Sequence, residues 1–292
     1  MGPMATIHPT AIVDPAAQLH DSVDVGPHCV VTGPVTLGEN VRLVGHVYVT
    51  GPTTIGAGTT VYPFTTIGFP PQDFKFGLGD ATAGVLIGEN CTLREQAIVH
   101  ASTDETVPTT LGDNVWLMAA TNIGHDCIVG NNVILVGYSG CAGHVILEDN
   151  VTIGGQAGVH QHCRLGRLSF MSGGTNVSTD VPPFCTVNER NRIGGINLVG
   201  MRRAGIKRED ITATRRAFAD IFAPCLPRDE MLAALAERAD GCAPIAELHA
   251  FVESAKRPIC PGAGRPPRMF AAFLRHQRRG EAVSIDTAAG DL

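Results

Sequence analysis

Asn122-Ile123-Gly124-His125-Asp126-Cys127-Ile128-Val129-Gly130-Asn131-Asn132-Val133 opens a stretch that closes at Gly154-Gly155-Gln156-Ala157-Gly158-Val159-His160-Gln161-His162-Cys163. An aliphatic residue recurs in it every six positions, mostly followed by glycine. His125, His144 and His160 fall close to the same ruler. If three six-residue units make one turn of a coil, the step from His125 to His144 is one turn plus one position. The step from His144 to His160 is one turn minus two. All three side chains are then predicted near one edge, on successive turns. Histidine is the side chain best suited to moving protons near neutral pH, so the pattern suggests an active site on a repeating scaffold.

The ruler extends outward from this stretch. Val25-Gly26, Leu37-Gly38, Ile55-Gly56 and Ile67-Gly68 lie on it, and Ile87-Gly88 restarts it after a phase break. Leu111-Gly112, Ile123-Gly124, Val129-Gly130, Leu147, Ile153-Gly154 and Leu165-Gly166 complete it. Neither strand alternation nor a helical period of 3.6 gives this spacing, whereas hexapeptide repeats are the signature of a parallel β-helix. Each unit is a short strand with its aliphatic residue inward and a corner that glycine or asparagine permits. Coils stacked at ~4.8 Å make a prism of about ten coils, roughly 45–50 Å long. Two stretches leave the ruler, Phe69–Gly84 and Ala101–Thr109, and read as loops thrown out of the coil, where binding residues commonly sit.

Past Asp180-Val181-Pro182-Pro183 the repeat ends, and an irregular crossing runs through Asn188–Asn191. Helices are predicted over Ile206–Ala223, Pro227–Ala239, Pro244–Lys256 and Met269–Arg278, with Pro258–Pro267 as a linker. In the first of them Ile211, Phe218, Ile221 and Phe222 share one face, with Thr214 its single polar member. The reading is therefore mainly β: a hexapeptide-repeat domain over 5–187, a C-terminal α-helical domain over 188–280 and a disordered tail over 281–292.

Composition agrees with a narrow aliphatic interior and many tight turns. Of 292 residues 44% are hydrophobic, 17% charged and 5% aromatic, with 34 glycines and 19 prolines. The nine cysteines form no C-x-x-C pair and read as reduced packing residues of a cytosolic protein. No run of 18 apolar residues and no basic-then-apolar N-terminus occurs, so neither a transmembrane segment nor a secretory signal is expected. Met1-Gly2-Pro3, ahead of Met4, reads as a cloning remnant. The net charge of −6 is uneven: residues 1–200 hold 7 Lys+Arg against 16 Asp+Glu, and residues 201–292 hold 15 against 12. That favours an anionic partner for the last third.

Hexapeptide prism, His125-Asp126-Cys127, Gly143-His144-Val145, His160-Gln161, Asp180-Val181-Pro182-Pro183, the inserted Gln72-Asp73-x-Lys75 and the helical tail come in an order that resembles the left-handed β-helix acyltransferases. Within them the order is most similar to the UDP-N-acetylglucosamine 3-O-acyltransferase family, which begins lipid A biosynthesis. The resemblance runs from Ala5 to about Ala223. It implies the left hand of the helix, a homotrimer with sites in clefts between prisms, and acyl transfer from acyl carrier protein to a UDP-sugar. No cofactor and no nucleic acid are expected. His125 takes the position of the general base, Asp126 that of its carboxylate partner and Gly143 that of the backbone N–H polarising the thioester carbonyl. Gln72, Asp73, Lys75, Asn122, His144, His160 and Gln161 match sugar- or acyl-contacting positions. Asn197, Arg202 and Arg203 match the nucleotide-contacting segment, where arginine pairs with phosphate. Gly173 matches the position that closes the acyl groove, and a glycine there favours a longer hydroxyacyl chain. Arg215 and Arg216, with Arg275, Arg278 and Arg279, are candidate contacts for the acidic carrier.

The chain departs from the family at Asn122 (usually histidine), at Ala101-Ser102 (usually Arg-Gly), at Gly137-Tyr138 (usually paired asparagines) and at Val199 (usually acidic). The departures cluster where sugar and acyl chain are expected, while the base is kept. Three other readings compete: acylation of another UDP-(amino)sugar, a binding module that has lost turnover, and a γ-carbonic-anhydrase-type hydratase. The hydratase needs metal-binding histidines five apart, and His160 and His162 are two apart, so no metal is expected.

Overall fold

The computed structural model describes residues 5–77 and 79–262. From Thr6 to Val177 the chain is a parallel β-solenoid whose short strands stack into sheets of nine, nine and eight strands, successive strands falling to the three sheets in turn; two later strands bring the first sheet to eleven. Asn122–Ile123, Gly140–Cys141, Gly158–Val159 and Asn176–Val177 lie one above another in the nine-stranded sheet, each a full coil after the last. Ile123, Cys141, Val159 and Val177 point into the prism and are buried, as their counterparts are through the central coils.

The six-residue period has a backbone cause as well as a hydrophobic one. Asp126, Asn132, Tyr138, His144, Asn150, Gln156, His162 and Leu168 all have φ near +60°. Each of these corners turns through one left-handed residue, a conformation that asparagine and aspartate tolerate best and that costs other side chains roughly 1–2 kcal/mol. Burial of the inward aliphatic column outweighs that cost, at about 25 cal/mol per Å² of apolar surface. The cysteines serve mostly the same column: all nine are free, and eight are buried. Burial pushes the Cys127 thiol up to about 12, which keeps it protonated and inert.

Both off-ruler stretches are inserts that leave the coil in register. Thr66 pairs with Ile98, and Ile98 with Asn122, although more chain than a single coil separates each pair. The two inserts are tied to each other where they leave the coil. Ala83 N–H donates to Asp104 O at 2.7 Å, Thr82 Oγ1 to Ser102 O at 2.5 Å, and the Ser102 and Thr109 N–H groups both reach Gly84 O.

The solenoid ends differently from the sequence reading. Asn188–Asn191 is the tip of an antiparallel hairpin, Cys185–Glu189 with Arg192–Ile196, which extends the eleven-stranded sheet over the end of the prism. Helix α1 (Leu198–Arg203) follows, unforeseen because it is too short to show a period. Helix α2 (Arg208–Ala217) runs into a π-helical turn at Phe218–Phe222, and α3 (Arg228–Ala239) and α4 (Ala243–Ser254) pack together. Ile211, Thr214, Ile221 and Phe222 are buried, the three apolar ones in a second core with Phe184 and Leu168 of the last coil. A bidentate Arg167–Glu247 pair, 3.0 and 2.7 Å, clips α4 to the solenoid. The expected helix Met269–Arg278 and the tail 281–292 lie outside the described residues.

Candidate active site

The outward positions of the nine-stranded sheet set the site. Between Asn122 and Asn176 they are Gly140 and Gly158, and this lack of side chains opens a furrow along the prism. A cavity of about 610 Å³ occupies it, lined among others by Gln72, His100, Asn122, His125, Gly143, His160, Gln161, Asn176 and Arg190. His125 reaches it from the corner of the coil. An ideal Cβ on Gly143 would lie 2.5 Å from His125 Cε1 and Nε2, so only glycine lets the imidazole rest on that backbone. The Gly143 N–H makes no hydrogen bond among the described residues.

Asp126 is the most heavily bonded side chain of the site. Its Oδ2 accepts from His125 Nδ1 at 2.6 Å and from Thr103 Oγ1 at 2.8 Å. Its Oδ1 accepts from Ser102 Oγ at 2.5 Å and from the Thr103 N–H at 3.0 Å. Burial raises the pKa of this carboxyl, but the hydrogen bonds from Ser102, His125 and Thr103, with the nearby His144 charge, outweigh it and hold the group at about 2. A carboxylate on Nδ1 fixes the tautomer that leaves His125 Nε2 free to accept a proton. His125, Asp126 and His144 also bring ligand-type atoms within 4.8 Å of one another. The carboxylate oxygens of this set already accept four donors.

The column differs from the sequence reading, which grouped His125, His144 and His160. Asp126, His144 and His162 are the residues spaced by whole turns, all at left-handed corners. His144 meets His125 edge-on, centroids 5.1 Å apart, and stacks on His162 at 4.4 Å. His160 instead lines the large cavity with His125. His144 lines a separate cavity of about 350 Å³ with Asp126, Thr103 and Asp104, behind the His125–Asp126 pair.

A family profile for "Udp N-acetylglucosamine O-acyltransferase; Domain 2" matches residues 180–260, and one for bacterial transferase hexapeptide (six repeats) matches 108–143. An acyl-[acyl-carrier-protein]–UDP-N-acetylglucosamine O-acyltransferase of Janthinobacterium sp. (strain Marseille) is 40% identical over 262 residues, 88% of this chain and 99% of that protein. The chain belongs to this O-acyltransferase family. A Bartonella henselae member is 40% identical over 257 residues, 87% of this chain and 93% of its own length. The Francisella novicida UDP-N-acetylglucosamine acyltransferase superposes with a TM-score of 0.84 at 31% identity, covering 90% of this chain and 95% of that one. The Acinetobacter baumannii structure does so with 0.80 at 33%, covering 87% and 98%.

Within this O-acyltransferase fold the remaining candidate residues scatter. Asp73 and Lys75 sit on the first insert, outside the large cavity, with the Lys75 N–H bonded to Asp73 Oδ1. Gly173 lies at a corner against Gly155, also outside it. Asn197 caps α1: its Oδ1 accepts from the Gly200 N–H and its Nδ2 donates to Leu168 O, so its amide is committed to structure. Arg202 joins Arg208 and Arg215 around a cavity of about 560 Å³ on the helical domain, and Arg216 lines a groove of about 420 Å³ beside it. Arg203 is exposed. Arg275, Arg278 and Arg279 lie outside the described residues.

Sequence reasoning missed His100, Asn176 and Arg190 in the cavity wall. His100 is 6% exposed, bonds Pro70 O through Nδ1, and has a buried Nε2 without a partner among the described residues. Burial holds its imidazole below the usual pKa, against the opposing pull of the Pro70 carbonyl. The signal for Asn176 was available, since it stands three whole turns from Asn122. Arg190 is reached only through the hairpin.

Proposed function

We propose that the chain transfers a 3-hydroxyacyl group from acyl carrier protein to the 3-hydroxyl of UDP-N-acetylglucosamine, the first step of lipid A biosynthesis. The observation that carries the reading is His125, held by Asp126 at 2.6 Å and resting on Gly143 in the furrow cavity. A sugar hydroxyl is a poor nucleophile until a base removes its proton. In this reading His125 Nε2 takes that proton as the oxygen attacks the thioester carbonyl carbon. The developing oxyanion accepts from the uncommitted Gly143 N–H. The C–S bond then breaks, and the proton passes from His125 to the departing thiolate. Asp126 stays ionised throughout and stabilises the transient imidazolium.

In this reading Asn122, His160, Gln161, Gln72 and His100, which line the furrow cavity, hold the sugar and acyl portions. Asp73, Lys75, Arg202 and Arg203 would serve a site completed by a neighbouring copy, which is why a homotrimer forms part of the proposal. The arginines of α2 would receive the acidic carrier. No helix among the described residues is long and apolar enough to cross a membrane, and the reduced thiols favour a cytoplasmic enzyme.

The test is mass-spectrometric detection of acylated product after mixing the protein with hydroxyacyl carrier protein and UDP-N-acetylglucosamine. Absence of product refutes the reading. A parallel reaction with a UDP-amino sugar tests the other acceptor. Product there alone would move the assignment to an N-acyltransferase.

A further inference from the structure

Ser102 and Thr103 stand on the second insert, off the hexapeptide ruler, and their side chains turn back onto the solenoid. Ser102 is fully buried. Its hydroxyl accepts from the Asp104 N–H at 2.9 Å and donates to Asp126 Oδ1, so it passes a hydrogen-bond chain from the loop backbone to the carboxylate. The Ser102 backbone is itself clamped, its N–H to Gly84 O and its carbonyl to Thr82 Oγ1. Asp104 closes the loop by accepting from Thr106 and Val107. The insert is therefore built around the carboxylate.

We propose that Ser102 and Thr103 are positioning residues: they aim Asp126 Oδ2 at His125 Nδ1 and disperse the carboxylate charge, so that the imidazole keeps one orientation while it takes up and passes on a proton. The proposal rests on the acyl-transfer reading above. With three donors besides His125, the carboxylate cannot rotate, and its charge is shared rather than concentrated on the imidazole. Removing a hydroxyl concentrates that charge on His125. The protonated imidazole is then stabilised, and the base stays occupied to higher pH. The other titratable groups around this pair are His144 and the buried Cys127 from the coil and Asp104 from the insert beside Asp126, with His100 and His162 on the His125 side. None of them changes in the variants below.

The experiment measures pH profiles of kcat/KM for the full-length protein and for Ser102→Ala, Thr103→Val and Thr103→Ser. Ser102→Ala and Thr103→Val are expected to move the acidic limb to higher pH. One unit below the limb they lose about 3-fold more activity than on the plateau, with KM for both substrates unchanged. Thr103→Ser keeps its hydroxyl and follows the parent. A purely structural role would lower the rate equally at every pH, and that parallel fall, or an unmoved profile, overturns the proposal. A second readout does not depend on turnover. The carboxyl ¹³C signal of Asp126, assigned by its loss in Asp126→Asn, is expected to titrate at higher pH in Ser102→Ala than in the parent. An unchanged titration overturns the clamp, whereas a parent without acyl transfer but with the expected titration shift overturns only the enzymatic reading.

Discussion

Gly143→Ala isolates the geometry of the site from its chemistry. The backbone at 143 is not in the left-handed region, so alanine can adopt it, and the added methyl meets no main-chain atom first. It meets the His125 ring, 2.5 Å from Cε1 and Nε2 and 3.1 Å from Nδ1. Ordinary contact between such atoms is about 3.5–4.0 Å, so the imidazole must retreat by about 1 Å. Asp126 holds the other end of the ring at 2.6 Å, and His144 stands edge-on behind it. Retreat therefore breaks the aim of Nε2. A misplacement of about 1 Å at a reacting group costs about 10²-fold in rate, or roughly 2.7 kcal/mol of transition-state stabilisation. The assay is kcat/KM for acyl transfer to UDP-N-acetylglucosamine, with the melting temperature as a control that should stay within a few degrees. A folded variant within about 3-fold of the parent would refute the placement of His125 on Gly143 as the catalytic arrangement.

His125→Ala is expected to lower kcat/KM by at least ~10²-fold without unfolding the protein; His162→Ala, which loses a ring stacked on His144 outside the large cavity, should show a smaller effect. Reversing Arg215 and Arg216 together to Glu should raise KM for the acylated carrier, most at low ionic strength, and barely change KM for the nucleotide sugar. An equal rise in both would place the carrier elsewhere. Sedimentation equilibrium should give a trimer, and a stable monomer at micromolar concentration counts against a shared site. Asp126, lowered from an ordinary 3.8 to about 2, contributes stability that is complete above about pH 4 and is lost as pH falls through 2. Urea unfolding at fixed protein concentration should show Asp126→Asn weaker by about 2 kcal/mol at pH 6. That deficit should shrink toward pH 2, and a constant deficit would contradict the origin assigned to it.

The amino-acid sequence by itself determined the solenoid, because one six-residue template is repeated on every side of every coil. The inward aliphatic residue and the left-handed corner are both local requirements, and each leaves a mark at a set position. It also marks His125, Asp126 and Gly143 as candidates, because they carry a recognisable motif close to that ruler. Tertiary structure alone decided what surrounds them. Ser102 and Thr103 reach Asp126 from an insert, where the ruler has no authority and the pairing depends on how two loops fold against each other. His144 touches His125 edge-on but stacks on His162 and shares its cavity with Asp126, not with His160, because corner residues stack by whole turns while His160 stands two positions before its corner. Asn197, a nucleotide-contacting candidate by resemblance, also caps a helix, and its partners, Leu168 O and the Gly200 N–H, meet only when the hairpin folds over the end of the prism.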